Sequence, residues 1–312
     1  MSQQRRLKEY FILACKGVLM GAADAVPGVS GGTIAFITGI YEELIGSIRR
    51  FDLDAVRVLF SQGPRAFWKH VNGNFLLTLL SGIIISLVTF ANIVLFMLAS
   101  YPVMLWSFFF GLILASTWVI SRHIPHWDST YITLFLTGAV LAYLITSLTP
   151  TEIPVSAVTV FLSGSIAICA MILPGISGSF ILLLLGMYAP VLQAIKDAEL
   201  AIIGLFGAGC VVGLLSFSRL LNWLFTTHRM PTLAVMSGFL LGSLNKVWPW
   251  KYTTAYTLNS HGKQVPLAQD NVSPFVYEAL SGQDSFMMAS IALLILGVVI
   301  VLWMERGQST NR

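Results

Sequence analysis

Six nearly unbroken apolar runs dominate this chain, at about 75–99, 103–121, 130–148, 201–225, 232–247 and 286–304. A helix needs about 20 apolar residues to cross a hydrocarbon core about 30 Å thick, and most of these runs come near that length. Backbone that crosses lipid must satisfy its own N–H and C=O groups, so such runs fold as helices. A soluble domain carries charge on about a quarter of its residues. Here charged types make up 10% and hydrophobic types 56%. The expectation is an all-α integral membrane protein, a single membrane domain over 1–312 with no sizeable soluble part.

Two further apolar stretches, 10–48 and 155–195, are interrupted near their middles by Pro27-Gly28 and Pro174-Gly175. Proline removes a backbone donor and clashes with the preceding turn, and glycine frees the backbone, so a helix should break there. Lysine and arginine in short loops set membrane orientation. Arg5, Arg6 and Lys8 precede the first broken stretch, and Arg49, Arg50, Arg57, Arg65 and Lys69 follow it. That stretch therefore enters and leaves on one side. Alternating the later spans from there puts 12 basic residues in the cytoplasm and four, Lys196, Lys246, Lys251 and Lys263, outside or at the outer boundary. Both termini come out cytoplasmic. The amphipathic segment 51–70 suits the inner membrane surface.

The two broken stretches resemble each other. Pro27-Gly28-Val29-Ser30-Gly31-Gly32 and Gly39-Ile40-Tyr41 recur as Pro174-Gly175-Ile176-Ser177-Gly178-Ser179 and Gly186-Met187-Tyr188, all at an offset of 147 residues, which Gly17 and Gly164 share. Weaker matches follow at an offset of 127: Ser86-Leu87 with Gly213-Leu214, Phe90 with Phe217, Gly111 with Gly238. The first repeat covers 10–148 with its hairpin at 10–48, and the second covers 155–304 with its hairpin at 155–195. Each holds a broken, re-entrant hairpin and three spans, and three crossings separate the hairpins, so the second repeat is inverted. Inverted repeats with discontinuous helices are a signature of secondary transporters. Each hairpin arm has about 16 residues, and at 1.5 Å per residue two full crossings remain an alternative. Arg5, Arg6, Lys8 and Ala23-Asp24-Ala25 also outline a signal peptide. Lys16 interrupts that pattern, and the repeat places residues 10–27 in the mature protein.

The chemistry sits at the breaks. Ser30 can cap the helix that follows it. Gly31, Gly32 and Thr33 then offer backbone donors with little side-chain cover, and helix N-termini favour anions, phosphate above all. Ser177, Gly178 and Ser179 repeat the arrangement. Two tips reaching the bilayer middle from opposite sides would face each other. Ionisable residues at membrane depth are costly and often functional. Asp24, three residues before Pro27, is a proton carrier or a local cap. Arg219 can hold a phosphate bidentately or snorkel to the inner surface. Lys16 reads as snorkelling. Glu42 is a partner for Arg219 or a second proton carrier, whereas Glu43 reads as solvated.

Other classes find little support. Cys15, Cys169 and Cys210 lie in apolar segments without metal or disulfide spacing. The histidines fall in loops or at span ends, with no metal spacing and no nucleophile. No phosphate-loop, dinucleotide or nucleic-acid motif is present, so no cofactor, metal or catalytic residue is expected. Trp248, Trp250 and Tyr252 read as an interfacial aromatic belt.

The segment from Gly21 through Asp24, Pro27, Gly28, Ser30, Gly31 and Gly32 to Thr33, with Leu173-Pro174-Gly175-Ile176-Ser177-Gly178-Ser179, resembles a bacterial membrane family associated with translocation of undecaprenyl phosphate, the PopT-like proteins. The resemblance covers nearly the whole chain. Phe180 stands where the first repeat has Thr33, and Met171 where it has Asp24, so a strictly symmetric site is in doubt. The resemblance implies a non-enzymatic transporter in the bacterial cytoplasmic membrane that returns the lipid carrier phosphate to the inner leaflet. Its site would be Pro27, Gly28, Ser30, Gly31, Gly32, Thr33, Pro174, Gly175, Ser177, Gly178, Ser179 and Arg219, with Asp24 and Glu42 coupling transport to protons. The partners implied are the polyprenyl phosphate and the bilayer, with a homo-oligomer left open. A transporter of a small soluble anion and a membrane enzyme acting on lipid phosphates remain alternatives.

Overall fold

The structure is a computed structural model and describes residues 5–24, 30–89, 91–148, 153–258 and 264–309. The first broken stretch forms α1 (Leu7–Asp24), α2 (Gly31–Ile37) and α3 (Tyr41–Arg49). The amphipathic segment gives α4 (Leu53–Gln62) and α5 (Pro64–His70). Then come α6 (Gly73–Thr89), α7 (Ala91–Ser100), α8 (Pro102–Ser121) and α9 (Ser129–Ser147). The second broken stretch forms α10 (Ala157–Ile172), α11 (Gly178–Leu184) and α12 (Tyr188–Lys196). It is followed by α13 (Leu200–Thr227), α14 (Arg229–Ser243), strands β1 (Lys251–Leu258) and β2 (Gln264–Asn271), α15 (Pro274–Ser281) and α16 (Met287–Ser309).

Local chemistry sets many of these limits. Asp128 accepts from the Tyr131 N–H and starts α9, and Ser156 with Thr159 makes a capping box that starts α10. Pro102 opens α8, where its missing N–H costs nothing. Gly39 and Gly186, at φ +71° and +65°, end the seven-residue helices α2 and α11 in the left-handed region that glycine tolerates. After Gly186 the chain turns by 108° from α11 into α12.

Among the described residues α8, α9 and α13 are long and apolar enough to cross a membrane, and α10 and Met287–Trp303 of α16 are shorter apolar helices. Large apolar side chains, Ile84, Val88, Val140, Val158, Val211 and Val299 among them, point outward. Such a surface would aggregate in water and suits hydrocarbon. The chain is a mostly helical membrane protein. The run 75–99 is covered by α6 and α7. The polar segment 248–285 carries the antiparallel β1–β2 pair and α15. There Trp250 is only 8% exposed, and its indole N–H donates to the Ser285 carbonyl at 3.0 Å. Trp248 donates to the Val272 carbonyl at 2.8 Å. These rings, with Val103 and Tyr277, build a small core rather than an exposed belt.

The main core joins α1, α2, α3, α6, α8, α13 and α14 around Tyr41, Ile45, Phe75, Leu79, Ile113 and Leu240. Four helix pairs frame it: α1 with α6, α10 with α13, α8 with α16, and α9 with α14. Lipid offers no hydrophobic drive between helices, so close backbone approach at small residues must hold them. A Cβ on Gly238 would lie 2.0 Å from the Phe135 carbonyl oxygen, and one on Gly111 would lie 2.1 Å from that of Leu294. Gly17 and Gly209 meet the backbones of α6 and α10 in the same way. Gly204 has open space around it. We therefore expect Gly238→Ala to lower stability by about 1–3 kcal/mol through overpacking, while Gly204→Ala leaves it unchanged or raises it by about 0.5–1 kcal/mol. Thermal unfolding of the two variants in one detergent tests this, and equal midpoints would contradict the close-approach account.

Candidate functional site

The two breaks touch. Ser30 is extended, at φ −118° and ψ 135°, and fully buried. Its Oγ accepts from the Gly32 N–H at 3.0 Å, capping α2, and donates to the Met171 carbonyl at 2.6 Å, near the end of α10. Thr33, also fully buried, accepts at Oγ1 from the Gly175 N–H at 2.9 Å. A Cβ on Gly32 would lie 2.5 Å from the Ile172 carbonyl oxygen, so only glycine lets the tips come this close. Gly175, at φ +88°, also packs against Ser243 at the end of α14. Pro174 is buried beside it. Pro27 and Gly28 lie outside the described residues.

The N-terminus of α2 already holds a carboxyl group. Oδ1 of Asp24 accepts from the Gly31 N–H at 2.7 Å. A Cβ on Gly31 would lie 2.5 Å from the other carboxylate oxygen. The Thr33 N–H is taken by the Ser30 carbonyl at 2.9 Å. In the second half Met171 stands where Asp24 stands in the first, and Gly178 packs against it as Gly31 packs against Asp24. Methionine supplies no carboxylate there. Ser177 does not cap α11; its hydroxyl shares a 2.8 Å hydrogen bond with that of Ser179. The halves thus differ chemically where the sequence said they would, at Asp24 against Met171.

Arg219 and Glu42 lie away from this contact. Arg219 is exposed, and its guanidinium donates to the carbonyls of Leu215 at 3.3 Å and Phe51 at 3.5 Å. Glu42 pairs with Arg229 at 2.9 Å, not with Arg219. Glu43 is not merely solvated: it binds Arg5 and accepts from Asn72 at 3.0 Å. Lys16, instead of reaching water, donates to the Thr38 carbonyl at 2.7 Å, at the C-terminus of α2 where a cation is favoured. These bonds tie α1, α14 and the start of α6 to the first hairpin's outgoing arm. No sequence signal announced Arg229 or the Met171 carbonyl as partners, since both contacts join segments over a hundred residues apart.

An apolar groove of about 420 Å³ starts beside the second break at Leu173 and runs between α9, α13 and α14 past Leu134, Phe217, Leu221 and Met236 to His228. It has almost no polar lining.

A family model described as undecaprenyl phosphate translocase-like matches residues 20–265. This chain belongs to the undecaprenyl phosphate translocase-like family. The match spans both breaks and the groove. The chain is 50% identical over 297 residues to a polyprenyl-phosphate transporter of Vibrio cholerae, covering 95% of this chain and 96% of that one. It is 32% identical over 252 residues to a polyprenyl-phosphate transporter of Staphylococcus aureus, covering 75% and 84% respectively. No solved structure matches.

The contact between the breaks gives a test that separates shape from hydrogen bonding. Thr33→Val keeps the volume but strands the buried Gly175 N–H, which should cost about 1–3 kcal/mol, whereas Thr33→Ser keeps the acceptor and should cost less. Thermal midpoints in detergent distinguish the two, and a valine variant as stable as the serine one would show that the bond contributes nothing.

Proposed function

We propose that this chain carries a polyprenyl phosphate, undecaprenyl phosphate above all, across the bacterial cytoplasmic membrane toward the cytoplasmic leaflet. The observation that carries the reading is the direct contact of the two glycine-rich breaks, in a chain whose family and relatives are named for this lipid. A phosphate cannot cross hydrocarbon unpaired, because burying an uncompensated charge is very costly. Polar breaks inside a helical membrane protein offset that cost. The tail stays apolar throughout, and the groove from Leu173 to His228 offers it a wall next to the second break.

In this reading the halves form an inverted repeat, 10–148 and 155–304, that works by alternating access. Supporting it, α2 and α11 both have seven residues, and α3 and α12 both have nine. Exchange of the halves also maps the α1–α6 pair onto α10–α13 and the α8–α16 pair onto α14–α9. A seven-residue helix is about 10 Å long, too short to cross, which favours re-entrant hairpins over full crossings. Both termini lie in the cytoplasm.

The phosphate is cradled by Ser30, Gly31, Gly32 and Thr33 from one side and Ser177, Gly178 and Ser179 from the other, with Pro174-Gly175 holding the second break open. The Asp24 carboxylate now sits on the Gly31 N–H where the phosphate would. Protonation of Asp24 removes the repulsion between the two anions and frees that donor, so proton uptake and phosphate binding favour each other. Glu42, paired with Arg229, is the second proton-coupling candidate. Arg219, beside Phe51, neutralises the phosphate on the inner side.

Transport of labelled undecaprenyl phosphate in liposomes containing the purified protein tests this. We expect transport by the wild type and a loss of at least about tenfold in Ser30→Ala/Ser177→Ala, equivalent to about 1.4 kcal/mol of lost stabilisation. Arg219→Ala should also be slower, and Asp24→Asn should lose its response to a pH gradient. Normal pH dependence in Asp24→Asn would remove the proton role. If the wild type moves no lipid under either gradient, the reading fails and a small soluble anion becomes the substrate to test.

A further inference from the structure

We infer that Lys246 and Lys251 form an outer receiving site for the phosphate monoester of a lipid, between the outer surface and the second break. The inference rests on the transport reading above and adds a step before the substrate reaches the tips. Lys246 lies in the turn after α14, and Lys251 opens β1. Nζ of Lys246 sits 4.2 Å from the centre of the Phe180 ring, in the first turn of α11. Nζ of Lys251 sits 4.6 Å from the centre of the Trp106 ring on α8 and donates to the Lys246 carbonyl. The two side chains thus occupy neighbouring aromatic-walled positions, both partly buried.

Nothing on the described residues balances them. Neither lysine makes an ion pair there. Glu278 of the adjoining α15 is engaged by the N–H and hydroxyl of Ser285. Lysines at span ends usually extend into water; these two turn onto aromatic rings instead. Burial, and then the neighbouring Lys246 charge, push Lys251 down to about 7, and burial alone lowers Lys246. Two partly desolvated lysines with no counterion hold their charge poorly until an anion completes the arrangement. A phosphate monoester supplies the opposite charge and several acceptors, and ammonium groups bind it as point charges.

Placement ties the pair to the transport path. The turn bearing Lys246 follows directly on Ser243, which packs against Gly175 of the break. An open cleft of about 490 Å³, lined by Phe110, Leu244, Asn245 and Trp248, lies along the same turn and is mostly apolar. It gives the first isoprene units a place while the phosphate meets the lysines. The difference between Phe180 and Thr33 then has a role: the ring is a platform for Lys246 on the outer side, while Thr33 binds the Gly175 backbone.

The test uses the full chain in nanodiscs, with radiolabelled farnesyl phosphate as probe and farnesol and inorganic phosphate as competitors. We expect Lys246→Met/Lys251→Met to weaken binding by at least about tenfold, consistent with loss of hydrogen bonds to a charged group. Farnesol and inorganic phosphate should each compete poorly. Removing unpaired charges should leave the thermal midpoint at or above that of the wild type, which separates lost binding from misfolding. In liposomes the double variant should show a raised apparent KM for undecaprenyl phosphate presented at the outer leaflet, with its maximal rate kept. Wild-type binding and KM in the variant would overturn the receiving site and leave the transport reading intact. Inorganic phosphate binding as tightly as farnesyl phosphate would overturn the lipid headgroup in favour of free phosphate. A wild type that transports nothing would instead bring down the transport reading itself.

Discussion

A broken helix inside a membrane leaves backbone donors and acceptors that no water can satisfy, and the structure is arranged around that problem. Side chains of the first half answer much of it for both breaks. Met171 turns its carbonyl to the Ser30 hydroxyl, and Gly175 turns its N–H to Thr33. Asp24 closes the remaining donor at Gly31. The Ser30–Met171 and Thr33–Gly175 bonds run between first-half side chains and second-half backbone groups, while Ser30 and Asp24 cap the first break from within its own half.

The contact between the breaks needs a frame that holds the tips in register. The frame comes from helix pairs brought together by glycine, with carbonyl oxygens lying where a Cβ would be at Gly111 and Gly238. Backbones this close leave little freedom for sliding. Glu42–Arg229 and Glu43–Arg5 join the first hairpin to α14 and to the residues before α1. Exposed pairs of the first kind contribute about 0.2–1 kcal/mol.

The asymmetry between the halves matters as much as their likeness. An acid at Asp24 and an apolar side chain at Met171 give one tip a titratable occupant and the other none. Thr33 and Phe180 divide the same way, one binding backbone and the other carrying a lysine.

Much of this was legible in the residues. Runs of apolar length marked the helices within a few residues, because crossing lipid demands that length. Pro174-Gly175 marked the second discontinuity, because backbone freedom is a local property, while the left-handed ends at Gly39 and Gly186 showed only in the structure. The 147-residue offset named the residues of both tips, and Ser30 as a cap followed from its type and place. What remained hidden depended on distance along the chain. The sequence pointed Glu42 at Arg219, but folding gives it Arg229. It made a belt of Trp248 and Trp250, where the β1–β2 hairpin and α15 bury them. The Met171 carbonyl, a group every residue carries, became a partner only through the packing of α2 on α10. The placing of Lys246 and Lys251 on aromatic rings was likewise decided by the turn after α14. Local chemistry thus set where helices begin, break and end. Tertiary packing alone chose which unsatisfied groups meet, since that choice depends on positions that no single segment contains.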